Sequence, residues 1–122
     1  MTFYNTIIEE NVKMKKNPII ALIEEILVEL KVEFEKEYNV LIDDGSLVFD
    51  FCALRYNLMI DIAQHTSGQK SLYCVQNGIH YIVCDAADKQ FLKKKIKAWI
   101  AYIKNPEKNP VPVEKELESN NE

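Results

Sequence analysis

Apolar residues along the first third of the chain follow two successive rhythms. Ile19, Ile20, Ile23, Ile26, Leu27 and Leu30 recur at helical spacing. Asn17-Pro18 precedes them, a residue that caps free N–H groups and one whose ring suits the first helical turn. The spacing predicts a helix from Asn17 to about Lys31. From Val32 the period shortens: Val32, Phe34, Tyr38 and Val40 are interleaved with Glu33, Glu35, Glu37 and Asn39, as in a strand. A helix running on to Lys36 competes with that reading, because Glu and Lys are good helix formers. Asp43-Asp44-Gly45-Ser46 marks a turn, with Gly45 free to take a positive φ.

The next stretch, Phe49 to Ala63, predicts two strands joined by a loop over Leu54 to Asn57. Alternation gives the first strand a face of Leu47, Phe49, Phe51 and Ala53, with Val48, Asp50 and Cys52 opposite. The second has Leu58, Ile60 and Ile62 on its apolar face and Met59, Asp61 and Ala63 on the other. A loop of that length pairs Ala53 with Leu58, Phe51 with Ile60 and Phe49 with Ile62, which sets Asp50 directly across from Asp61. Like charges across a strand pair are destabilising. Keeping such a pair calls for a compensating cation or a shared proton, and a divalent metal is the sharpest candidate. Two solvated carboxylates on an open sheet face are the plainer alternative, although Val48, Cys52, Met59 and Ala63 on the same face argue against a wholly wet one.

His65 to Gly68 form a loop, Gln69 to Asn77 a short helix closed by Gly78, and Ile79 to Cys84 a nearly continuous apolar run of strand length. Such runs suit a strand buried on both faces, as parallel strands are. The last helix spans about Ala87 to Lys104, with Leu92, Ile96, Trp99, Ile100 and Ile103 on one stripe. Pro106, Pro110 and Pro112 then interrupt regular structure ahead of an acidic tail expected to be disordered. The order is helix, three-strand meander, helix, strand, helix. It predicts an α/β fold, a mixed sheet flanked by helices, in one domain over residues 17–104, with an N-terminal extension 1–16 and a tail 105–122.

Charge and cysteines narrow the setting. Net charge is −4, and residues 105–122 hold five glutamates against two lysines, or −3, leaving −1 elsewhere. A global basic field for nucleic acid is therefore absent, and any polyanion site must be local. Cys52, Cys74 and Cys84 show no CxxC spacing. An odd, scattered set predicts free, buried thiols in a reducing, cytoplasmic compartment, not a zinc site. No apolar run reaches the length of a membrane span, and Met1 to Lys16, with Glu9 and Glu10, lacks the apolar core of a secretory signal.

Three segments, VFDFCALRYNLMIDIAQH, K-x3-C-x3-GIHYIVCD (Lys70, Cys74, Gly78) and the closing helix, resemble the PD-(D/E)XK nuclease superfamily. Within it the chain looks most like the small very-short-patch-repair type endonucleases and their relatives in phages and mobile elements, over roughly residues 17–103. The resemblance implies a restriction-endonuclease-like fold and hydrolysis of DNA phosphodiesters with Mg²⁺ or Mn²⁺. Asp50 and Asp61 would supply the metal carboxylates and Ile62 its main-chain carbonyl; oxygen ligands suit a hard ion that keeps several waters. The metal would lower the pKa of the attacking water and neutralise charge on the phosphate. The chain departs from the family pattern in three places. Ala63 stands where the family's lysine falls, no glutamate occurs near Ile20 early in the first helix (Glu24 lies a turn later), and the D-G-x-x-H continuation is shortened to Ala63-Gln64-His65. Lys70 from the second helix, with Gln64 or His65 positioning water, are the candidate replacements.

Each candidate has a plainer counterpart. Glu24 suits a solvated helix position, His65 a surface loop, His80 a core strand, and Lys70 a solvated helix face. Lys89, Lys93, Lys94 and Lys97 on the last helix would contact DNA phosphates or simply solubilise that face; Trp99 and Tyr102 serve as core anchors. The leading expectation is a metal-dependent endonuclease acting on DNA. Its alternative is a catalytically silent nuclease-like module, favoured by Ala63, that binds nucleic acid or a protein partner or forms a homodimer.

Overall fold

A computed structural model describes residues 17–112. The expected N-terminal extension and most of the acidic tail lie outside the described residues. Helix α1 (Pro18–Glu29) leads into strands β1 (Glu35–Ile42), β2 (Gly45–Ala53) and β3 (Leu58–Ile62), then α2 (Gly68–Gln76), β4 (His80–Cys84) and α3 (Lys89–Lys104). The sheet runs β1-β2-β3-β4, antiparallel except for the parallel pair of β3 and β4. This is the α/β order that the hydrophobic pattern predicts.

The element ends follow local chemistry. Lys31 takes a φ of 59°, and the Val32 amide folds back onto the Leu27 carbonyl, so α1 stops and the chain turns toward β1. Strand pairing begins only at Glu35; Val32 and Phe34 precede it as core contacts instead of ladder residues. Gly45 (φ 144°) supplies the positive φ of the β1–β2 turn. The β2–β3 connection is a 3₁₀ turn, Leu54–Tyr56, closed by Asn57 in the left-handed region. Asn57 also donates through its side chain to the Gly78 carbonyl at 2.7 Å and accepts at its own carbonyl from His80, which holds that turn against the start of β4.

Two helices cover one face of the sheet and one helix the other. Ile23, Ile26 and Leu27 of α1 and Leu92, Ile96 and Ile100 of α3 bury Phe51, Ala53, Leu58, Ile60, Ile62, Ile82 and Cys84. On the second face Cys74 of α2 packs with Leu47, Phe49, Cys52 and Met59. The expected face of Leu47, Phe49, Phe51 and Ala53 is therefore corrected: Leu47 and Phe49 lie on the α2 side, Phe51 and Ala53 on the other. The chain entering β1 divides in the same way, with Phe34, just before the strand, against Phe51, and Tyr38 and Val40 of β1 on the α2 side. The break falls where β1 pairing passes from Lys36–Phe51 to Tyr38–Phe49, and Glu37 between them has a φ of 50°. A left-handed residue in mid-strand turns both strands over at the level of Asp50, and simple alternation cannot show it.

His80 is half-buried, with Trp99 and Tyr102 ring centroids 5.6 and 6.1 Å from its own. The three cysteines are buried. Burial pushes the Cys52 and Cys74 thiols up to about 11, so only about a thousandth of either is thiolate at pH 8. Thiol reagents at that pH are expected to label the native protein far more slowly than the unfolded chain, with the gap closing as pH rises toward 11. Equal rates at pH 8 would contradict this burial.

A second expectation concerns Asn57. Asn57→Gly keeps the left-handed turn and loses one hydrogen bond, whereas Asn57→Ala loses the bond and strains the backbone. Denaturant unfolding should show a loss of about 0.5–1.5 kcal/mol for Gly and about 1–2 kcal/mol more for Ala.

Candidate functional site

The β2–β3 ladder pairs Ala53 with Leu58, Cys52 with Met59 and Phe51 with Ile60, as expected from the loop length, but the expected Phe49–Ile62 pair is not part of it, Phe49 lying on the α2 side and Ile62 on the other. The next rung, Asp50 with Asp61, is made by side chains. The Asp50 amide donates to Asp61 Oδ1 at 2.8 Å, and the Ile62 amide donates to Asp50 Oδ2 at 2.9 Å. Each carboxylate thus satisfies a backbone donor of the opposite strand. The two acids close the end of the ladder by reciprocal bonds and do not simply repel across it.

Asp61 is fully buried. Its Oδ2 accepts from Lys70 Nζ at 3.0 Å and from the Tyr81 hydroxyl at 2.5 Å. Because Tyr81 spends its one proton on Asp61, the Thr66 hydroxyl, 2.9 Å away, donates to Tyr81. Burial pushes the Asp61 carboxyl above the usual carboxylate range, against the opposing pull of Tyr81, the Asp50 amide and Lys70. The Tyr81 phenol is also raised, by burial first and then by its bond to the Asp61 carboxylate.

Lys70 is delivered by α2. Ser67 caps the helix by accepting from the Lys70 amide at 3.2 Å, and the side chain turns inward to leave 8% of the residue exposed. Its ammonium also donates to the His65 carbonyl at 2.8 Å and lies 5.2 Å from the Phe49 ring centroid. A cation in the first helical turn opposes the helix dipole; the buried charge of Asp61 outweighs that.

Asp50 is nearer the surface, its side chain 10% exposed, and meets His65 Nδ1 at 2.8 and 3.1 Å from its two oxygens. An ionised carboxylate only accepts, so Nδ1 is the donor in this contact, and in the neutral ring Nε2 is the acceptor. His65 ends the 3₁₀ turn Ala63–His65 and is largely exposed. An oriented imidazole of this kind can take a proton from water or bind an anion once charged.

Of the expected catalytic residues, Asp50, Asp61, His65 and Lys70 converge, whereas Gln64 is exposed and bonds to neither acid. Ile62 meets Asp50 through its amide. Tyr81 and Thr66 were not legible as site residues: their place depends on the parallel β3–β4 register, which sets Tyr81 beside Met59. Glu24 pairs with Lys36 at 3.0 Å.

The donor set does not fit a divalent ion shared by the two acids. Asp61 already accepts from an amide, an ammonium and a phenol and reaches no solvent, while Mg²⁺ keeps several waters in a near-octahedral shell. Among the described residues no group of three or more His, Cys, Asp or Glu side chains is placed to hold a metal.

On α3, Lys89 pairs with Glu25 and Glu29 at 2.9 and 2.6 Å, and Lys93 with Glu29 at 3.0 Å. These contacts raise the Lys89 ammonium and lower the Glu29 carboxyl. Lys94 and Lys97 are exposed. Of the four lysines expected on a phosphate-binding face, two are thus neutralised by α1. Among the described residues no helix is long and apolar enough to cross a membrane. No protein-family model, no curated protein and no solved structure matches this chain.

Lys70→Met leaves Asp61 buried without its cation and is expected to lower stability by about 3–5 kcal/mol. Adding Asp61→Asn removes the stranded charge and should restore part of that loss. A denaturant double-mutant cycle reads the coupling, and additive losses would contradict a direct Lys70–Asp61 pair.

Proposed function

We propose that this chain is a restriction-endonuclease-like domain that acts as a binding module for a protein partner and does not cleave DNA. The carrying observation is Lys70: its ammonium bonds Asp61 where a metal-dependent nuclease of this order would need a divalent ion. The element order and the two acids on adjacent strands support the nuclease-like fold. A two-acid metal centre requires Lys70 to leave, and Asp61 would then have to open to water.

The surface favours a protein over a nucleic acid. Two of the four α3 lysines are held by glutamates, which weakens the phosphate-binding face. An uncharged hollow of about 370 Å³ lies between β1 and α2, with Tyr38, Val40, Leu41, Leu54, Tyr73 and Ile79 among its lining. Leu41, Leu54, Leu72 and Val75 are more than half exposed nearby in sequence or fold. Apolar surface of this kind suits an uncharged segment of another protein.

One observation favours the Mg²⁺- or Mn²⁺-dependent endonuclease as a second reading. Asp50 and His65 form an acid–imidazole pair close to the surface, the arrangement a water-activating base needs.

Incubation with single-stranded, duplex and branched DNA in Mn²⁺ separates the two. The binding-module reading expects no cleavage, no Mn²⁺-dependent rise in melting temperature, and no salt-sensitive DNA retention. Nicking that disappears in both Asp50→Ala and Asp61→Ala would establish the enzyme instead.

A further inference from the structure

The Lys70 ammonium sits in surroundings that recognise a cation whatever carries it. Asp61 Oδ2 lies 3.0 Å from the nitrogen and the His65 carbonyl oxygen 2.8 Å, while the Phe49 ring centroid stands 5.2 Å away. The carboxylate is fully buried and held from its other sides by the Asp50 amide and the Tyr81 hydroxyl. The carbonyl belongs to the 3₁₀ turn that also carries the His65 ring to Asp50. Phe49 is itself fixed by Tyr73 and Tyr81, with ring centroids 6.2 and 5.7 Å away. Asp61, Phe49 and His65 thus each have contacts besides the lysine. Two oxygens and one aromatic face match an N–H-bearing ammonium: the oxygens accept its protons and the ring accepts its charge. The aromatic wall is a poor replacement for the waters of a small divalent ion.

We propose that Asp61, the His65 carbonyl and Phe49 form a preformed ammonium-binding cradle, filled in the native protein by Lys70 and open to a free primary alkylammonium when that side chain is cut back. This goes beyond the binding-module reading and survives its failure, since the cradle exists whether or not the domain binds a protein. It also assigns the ends of β2, β3 and α2 a common dependence on one cation.

Lys70→Ala removes three methylenes and the ammonium, so n-propylammonium is the matching probe. Thermal unfolding of Lys70→Ala is expected to show a rise in melting temperature of about 5 °C at ten times the probe's dissociation constant. Wild type should not respond, and tetramethylammonium, which has charge but no N–H, should have no effect at equal ionic strength. If Lys70→Ala does not fold unaided, refolding from denaturant with each cation reads the same contrast. Equal responses to the two ammonium ions, or none to either, would overturn the cradle. Stabilisation of Lys70→Ala by Mn²⁺ in place of propylammonium would overturn it too and expose a latent metal site, whereas DNA cleavage by wild type would sink only the binding-module reading.

Discussion

A carboxylate with no access to water dictates the arrangement of this domain. An ionised acid in a low-dielectric interior is costly unless every charge-bearing atom is met by a donor or cation. Asp61 meets that requirement through three separate parts of the chain: a β2 amide, the α2 lysine and the β4 tyrosine. One side chain thereby ties two strands of the sheet to the helix that covers the second face. The same requirement accounts for a lysine in the first turn of α2, a position helix electrostatics disfavour.

Asp50 complements this from the surface side. It accepts the Ile62 amide, ends the β2–β3 ladder and orients the His65 ring. The cradle's second oxygen comes from that same residue, so the surface pair and the buried pair share a segment of backbone. A perturbation of Lys70 should therefore reach the His65 ring without any direct contact between the two side chains. The nuclease-like character proposed for the domain rests on these acids, and so does its proposed silence, because the cation serving Asp61 is already covalently part of the chain.

Much of this architecture was legible from the residues. Helical spacing from Ile19 to Leu30, the Asp43-Asp44-Gly45 turn, the Leu54–Asn57 loop and the apolar run before Cys84 each had a local physical signature, and the β2–β3 register followed from loop length. Asp50 and Asp61 were legible as a pair for the same reason, and Lys70 as a residue able to reach them. What alternation could not reveal was the reversal of faces at Glu37 and Asp50, which depends on a left-handed residue that no local preference announces. Tyr81 and Thr66 were hidden because their roles arise only when β4 lies parallel to β3. What composition could not show on α3 is that Lys89 and Lys93 are paired with Glu25 and Glu29, 60 to 64 residues earlier in the chain, while Lys94 and Lys97 stay exposed.

On the reading proposed above, a lysine ammonium takes the place of a divalent ion at Asp61, the buried acid of the β2–β3 pair. Nitrogen-15 NMR tests it most directly, by following the Lys70 side-chain ammonium and the Asp50 and Ile62 amides during a Mn²⁺ titration. A slowly exchanging, persistent Lys70 ammonium signal, with no selective paramagnetic broadening of those two amides, is the expected result. Loss of that signal together with broadening of both amides at substoichiometric Mn²⁺ would contradict it.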